Sequence, residues 1–128
     1  MIVALLGPSA DLERCERAAD GLIAAGITIA YNWPEVVRER RNAGLTDVDL
    51  TDEERWQTQN ACLVAALSCG VVWWLSSDSV GAAFEAGIAE GVGQYREMVC
   101  SGTPHAIYRP GRHFPTDAEA LAWIVGSR

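Results

Sequence analysis

The stretch Asp78-Ser79-Val80-Gly81-Ala82-Ala83-Phe84-Glu85-Ala86-Gly87-Ile88-Ala89 holds the side chain best placed to do chemistry in this chain. Glu85 sits one turn inside an expected helix, and its neighbours Phe84, Ala86, Ile88 and Ala89 are all apolar. A polar turn containing Asp78 and Ser79 leads into that helix. Small residues at Gly81, Ala82, Ala83, Ala86 and Gly87 let a ligand or another backbone come close. Each glycine costs a helix about 1 kcal/mol relative to Ala, which suggests that close contact is being served. A carboxylate so placed either faces solvent or is held in a pocket, and the residue types alone leave both open.

Other segments offer weaker chemistry. Gly7-Pro8-Ser9 follows an apolar run and can hold a phosphate or a sugar hydroxyl at a helix start, or be a plain turn. No Gly-Lys-Ser/Thr follows it and no GxGxxG is present, so neither a Walker loop nor a nicotinamide-binding Rossmann turn is expected. Arg38, Arg40, Arg41 and Arg55 flank the loop from Ala43 to Asp52; they suit a phosphate through paired donors, or simply a solvated face. Asp47, Asp49 and Asp52 lack the spacing of a calcium loop. His105 and His113 stand apart from each other and from any cysteine pair. Trp33 and Trp56 can stack on a base or pack, whereas Trp73, Trp74 and Trp123 read as core. Cys15, Cys62, Cys69 and Cys100 form no CxxC and read as unpaired, mostly core, thiols.

The elements that must position these groups alternate. Ile2–Leu6 reads as a buried strand, Leu12–Ala25 as a helix capped by Ser9 or Asp11 and stopped by Gly26, and Ile27–Tyr31 as a second strand broken by Asn32-Trp33-Pro34. Glu35–Asn42 can be helical. Thr51 with Glu54 three residues on makes a capping box for a helix reaching about Leu67. Val71–Leu75 is apolar throughout and reads as the central strand, followed by a helix over Gly81–Val92. Strands are expected at Met98–Cys100 and His105–Tyr108, and a closing helix begins at Thr116 or Asp117. The pattern predicts one α/β domain over residues 1–128: a flavodoxin-like doubly wound sheet of about five mostly parallel strands, helices on both faces, in an order such as 2-1-3-4-5. In such sheets ligands bind beyond the carboxyl ends of the strands. Those ends carry Gly7, Pro8 and Ser9, then Tyr31, Asn32 and Trp33, then residues 76–79.

Composition narrows the function classes. The chain has 128 residues, 49% of them apolar and 21% charged, which suits a soluble globular protein. A net charge of −7 disfavours nucleic acid or an anionic membrane as partner, while leaving room for a small phosphorylated ligand. No run reaches the roughly 18 apolar residues of a membrane span, and Ile2–Leu6 is too short for a signal core. A reducing cytoplasm is the expected setting.

The motif around Glu85 also resembles the nucleoside 2-deoxyribosyltransferase superfamily, which includes the deoxynucleotide N-hydrolases. In that family a Gly-x-x-aromatic-Glu-x-Gly-x-Ala pattern follows a central strand, and Gly81, Phe84, Glu85, Gly87 and Ala89 match it in place. Leu5-Leu6-Gly7-Pro8, the turn Tyr31-Asn32-Trp33, the strand end Ser101-Gly102 and the closing helix over residues 117–124 extend the likeness across nearly the whole chain. The resemblance implies an enzyme of nucleotide metabolism, a transferase or hydrolase, that needs no metal or cofactor. Glu85 would attack C1′ of a nucleoside or nucleoside 5′-monophosphate, with a second base or water resolving the glycosyl-enzyme. Glu85 should then be ionised at neutral pH and receive donors; Ser79, the Tyr31 hydroxyl and the backbone near Gly81 are the candidates.

It further implies a homodimer or higher oligomer, because family sites are commonly completed by a neighbouring subunit. Three positions depart from the family pattern. Asn60 (or Gln57) is the nearest counterpart of an Asp on the helix before the central strand. Asn32 stands where an Asp is often found. Asp78 lies one residue from its expected place, which Ser79 takes. These changes leave two further readings open: a non-catalytic nucleotide-binding module on the same fold, and an NAD glycohydrolase, since the related TIR fold also uses a Glu near a helix start.

Overall fold

The computed structural model describes residues 1–76, 79–92, 95–103 and 111–128, with the side chain of Asp47 left aside. Five strands, β1 (Ile2–Leu6), β2 (Thr28–Ile29), β3 (Val71–Leu75), β4 (Glu97–Ser101) and β5 (Arg112–Phe114), form one sheet. The helices are α1 (Leu12–Ala24), α2 (Trp33–Asn42), α3 (Asp52–Ser68), α4 (Val80–Val92) and α5 (Asp117–Gly126), with short 3-10 turns at Ser9–Asp11 and Asp47–Asp49. The strand order is β2-β1-β3-β4-β5, and every pairing is parallel. This is the doubly wound α/β arrangement that the alternating apolar strands and helices predict. Among the described residues no helix is long and apolar enough to cross a membrane.

The period of two along the central strands divides the core. Val3 and Leu5 of β1 face the same way as Val71, Trp73 and Leu75 of β3 and Val99 of β4, against α1 and α5. Ala4, Leu6, Val72, Trp74, Met98 and Cys100 face α3 and α4. Strands buried on both faces must be apolar at every position, which is why none of them alternates with polar residues. Both tryptophans of β3 are fully buried. Trp123, expected in the core, is only half-buried: it packs beside Phe114 at 6.0 Å between ring centroids and lies under the Arg112 guanidinium.

Local signals place the helix starts. The Glu54 amide donates to Thr51 Oγ1 at 3.2 Å, and the Thr51 amide donates back to the Glu54 carboxylate at 2.7 Å. Thr116 and Glu119 repeat this box at α5. Asp11 caps α1 by accepting from the Arg14 amide, and Gly26 ends it at φ +73°. α2 begins earlier than its charged stretch suggests, because Pro34 sits in its first turn, where a missing N–H costs nothing.

The fifth strand differs from expectation. His105–Tyr108 lies outside the described residues, and β5 occupies Arg112–Phe114, directly after Gly111. Gly111 has φ +62°, and a Cβ there would fall 2.0 Å from the Met98 carbonyl oxygen, so only glycine lets the chain enter beside β4. β2 is shorter than the apolar run Ile27–Tyr31, with only Thr28 and Ile29 in register against β1.

Candidate active site

The strand order reverses between β1 and β3, and a cleft opens beyond their carboxyl ends, where such folds bind ligands. Two hollows of about 240 and 460 Å³ share the walls Leu50, Thr58, Cys62 and Glu85. The inner hollow adds Gly7, Ser9, Trp33, Val37, Arg40, Ser79, Gly81 and Ala82; the outer adds Val48, Arg55 and Gln59. Glu85 therefore lies in a pocket and not in open solvent, which decides the alternative that its sequence context leaves open.

Around Glu85 the structure departs from the sequence reading in one respect. Among the described residues no donor reaches its carboxylate. The half-buried group is surrounded by Leu50, Cys62 and Ala82, and burial pushes its pKa up to about 7. The expectation of a fully ionised carboxylate held by donors is thus replaced by one poised between its two forms at neutral pH. Tyr31, expected to supply one such donor, is half-buried behind the cleft. It packs against both halves of the core, and its hydroxyl does not bond Glu85. Burial, then the charge of Cys62, raises its pKa, with Arg40 opposing.

The other predicted residues divide. Gly7 lines the inner hollow, and a Cβ there would stand 2.9 Å from Cys15 Sγ, so glycine permits the close approach of β1 to α1. Ser9, Trp33, Ser79 and Gly81 also line it. The Trp33 indole N–H donates to the Leu5 carbonyl at 2.8 Å, which fixes the ring as a wall. Ser79 Oγ accepts weakly from the Ala82 amide at 3.5 Å. Among the described residues, a Cβ on Gly81 or Gly87 would meet nothing within 4 Å.

Pro8 is buried and does not face the cleft; its carbonyl accepts from the Asp11 amide at 3.1 Å. Asn32 is turned away, bordering a separate groove with Glu16, Asp20 and Glu35, and its amide donates to Glu35 at 3.0 Å. Asn60 is exposed and lines neither hollow. Asp78 lies outside the described residues.

The residue that α3 turns toward Glu85 is Cys62. Arg55, Thr58, Gln59 and Cys62 recur at three- and four-residue spacing and so share one face of α3. Asn60, two positions before Cys62, points elsewhere. That spacing was the available signal; the polar character of Asn60 misled. Burial, reinforced by the charge of Glu85, pushes the Cys62 thiol up to about 12.

Of the four arginines, Arg40 and Arg55 face the cleft, and Arg40 donates to Thr58 Oγ1 at 3.1 Å. Arg38 is engaged with Glu16 at 2.7 Å, and Arg41 donates to the Ser9 carbonyl at 3.0 Å. Trp56 is exposed and lines neither hollow. His113 stands on β5 with Nε2 2.7 Å from the Gly102 carbonyl oxygen. All four cysteines are free thiols. Among the described residues no three His, Cys, Asp or Glu side chains gather as metal ligands.

The arrangement can therefore bring a small molecule against one unpaired, partly desolvated carboxyl group, with hydroxyls and two guanidinium groups around it. Comparison with known proteins gives no match: no protein-family model, no curated protein and no solved structure is detectably similar to this chain.

Proposed function

We propose that this chain cleaves the N-glycosidic bond of a (deoxy)nucleoside or nucleoside 5′-monophosphate, with Glu85 as nucleophile. The observation that carries the reading is the position of Glu85: an unpaired carboxyl group inside a cleft at the strand-order reversal. A carboxylate stripped of water and donors keeps its nucleophilicity, and it offsets the positive charge that grows on the sugar as the bond lengthens. In the first step a Glu85 oxygen bonds to C1′ while the C1′–N bond breaks; its electron pair leaves with the base, which takes a proton from solvent. In the second step water adds to C1′, releases a proton and frees the carboxylate, or a second base takes the place of water. The described walls hold no second carboxyl group, so the base departs without a carboxylic acid from them to protonate it.

The test is incubation with deoxynucleosides, deoxynucleotides and NAD at pH 8, followed by detection of free base. Release from a nucleoside or nucleotide that is lost in Glu85→Gln supports the reading. Release from NAD alone moves the assignment to a glycohydrolase of that dinucleotide. The single carboxyl group favours one second reading, a nucleotide-binding module without turnover; it predicts binding of nucleotide with no base released.

A second copy of the chain is proposed to cover the α3–α4 face. No charged residue occurs from Trp56 to Ser77. Trp56 and Val64 on α3, with Val80 and Phe84 on α4, are each more than half exposed. Two molecules of net charge −7 can approach through such an uncharged face when their charged faces repel. Phe84 and Val80 flank Glu85 and Gly81, so that contact would adjoin the cleft.

A further inference from the structure

We propose that Arg14 is a positioning residue for Glu85: its guanidinium ties the carboxyl ends of β3 and β4 to α5 and so holds the strand end that leads toward α4, the helix that carries Glu85. The inference rests on the reading of Glu85 as the working carboxyl group.

Among the described residues the buried polar ones are Ser76 and Ser101, and the backbone carbonyl of each accepts from Arg14. Arg14 Nη1 donates to the Ser76 carbonyl at 2.9 Å, and Nη2 donates to the Ser101 carbonyl at 3.1 Å. The other edge of the guanidinium grips Asp117 of α5 with both oxygens, at 2.6 and 2.7 Å. Asp117 in turn accepts from Ser101 Oγ at 2.7 Å, and Ser101 Oγ accepts from the Trp73 indole N–H at 2.9 Å. One cation thus holds two strand ends, and its carboxylate partner is held by a third element.

Two features indicate that the geometry is specific. A planar fork with five donors can bind two carbonyls and a carboxylate at once, and an ammonium group cannot. Gly102 has φ +91°, and a Cβ there would stand 2.6 Å from Arg14 Nη2, so glycine both permits the turn after β4 and leaves room for the guanidinium.

Ser76 follows directly on β3, and Ser79 and Gly81, at the start of α4, line the cleft with Glu85. The Ser76 amide donates to the Ser101 carbonyl at 2.8 Å, the same oxygen that Arg14 bonds. Releasing that oxygen loosens both strand ends on the side where α4 begins. Displacement of a reacting group by about 1 Å can cost a hundredfold in rate, so a group that only holds this strand end still governs turnover.

The experiment compares Arg14→Lys and Arg14→Met with the wild-type chain. Amide hydrogen exchange gives a reading that needs no activity. The account expects exchange at the hydrogen-bonded amides of residues 83–87 to rise at least tenfold in both variants, with the core strand β1 unchanged in Arg14→Lys. Turnover of 2′-deoxynucleoside 5′-monophosphates gives the second reading: kcat falls at least tenfold with KM within threefold, and lysine fails to restore it.

Exchange at residues 83–87 unchanged in a folded Arg14→Lys overturns the proposal, as does kcat at the wild-type value. Exchange rising equally throughout the chain also overturns it, since that marks general loss of stability. If the wild-type chain turns over no nucleotide, the functional reading fails, and the exchange measurement alone decides whether Arg14 holds the strand end.

Discussion

Cys62 of α3 and Glu85 of α4 wall the same cleft, and the charge of Glu85 adds to burial in pushing the Cys62 thiol up to about 12. A thiol in that condition stays protonated at neutral pH and is a poor nucleophile. The proposed reaction therefore uses Glu85, not Cys62, as its reactive group. Alkylation of Cys62 by iodoacetamide at pH 8 should be at least tenfold slower than alkylation of a free thiol. Cys62→Ser should keep kcat within about fivefold. Rapid labelling that abolishes turnover would reverse the assignment.

The pH dependence of turnover follows from Glu85. In the proposed reaction only the carboxylate form attacks C1′, and burial raises its pKa to about 7. kcat/KM should therefore climb about tenfold per pH unit below 7 and level off above it. A flat profile between pH 5 and 9 would place the chemistry elsewhere.

Stability should carry the opposite sign. Glu85 in the folded chain holds its proton to about pH 7, against an ordinary value of 4.5. The protonated side chain's contribution is whole below about pH 4.5 and is lost as the pH rises through 7. Glu85→Gln removes that loss. It should be more stable than the wild-type chain at pH 8, by up to roughly 3 kcal/mol, and match it at pH 4. Urea unfolding at the two pH values checks the difference.

The Arg14–Asp117 pair should behave in the reverse sense. Burial pushes Asp117 up, but hydrogen bonds from Arg14 and Ser101 and the charge of Arg14 outweigh it and hold Asp117 below the usual carboxylate range. Its contribution is present above the ordinary value and disappears as the pH falls through the folded one. Asp117→Asn leaves a partly buried guanidinium without its charge partner and should cost about 2–4 kcal/mol at pH 7, with the cost shrinking as the pH falls below the usual carboxylate range. Urea unfolding of both proteins measures it.

The exposed apolar residues Trp56, Val64, Val80 and Phe84 of α3 and α4 give a test by size. Phe84→Lys should shift the chain toward monomer in sedimentation, because it puts a charge in the middle of the proposed contact. An unchanged sedimentation coefficient would exclude this face.

Much of the fold was legible because strands buried on both sides leave unbroken apolar runs, and two capping boxes announce α3 and α5 at Thr51 and Thr116. The position of β5 was not legible. Arg112–Phe114 has no apolar run, and its place depends on the backbone freedom of Gly111 beside Met98. The site was legible in part. Glu85, Gly7, Ser9, Trp33, Ser79 and Gly81 converge because strand ends and helix starts meet at the switch in strand order. Asn32 and Asn60 drew attention by their chemistry, yet the turn of each helix carries them away from the cleft. Cys62 and Thr58 looked like unremarkable helix residues, and only the arrangement of α3 against α4 brings them to Glu85. The Arg14 network joins residues about a hundred positions apart, which no local pattern encodes.

The central claim is a bond between Glu85 and a sugar carbon, and mass spectrometry of the protein mixed with substrate and quenched within milliseconds reads it directly. The account predicts a glycosyl adduct on the peptide containing Glu85, formed together with one equivalent of free base and absent from Glu85→Gln. Base released at the wild-type rate by Glu85→Gln, or an adduct on any other residue, would contradict it.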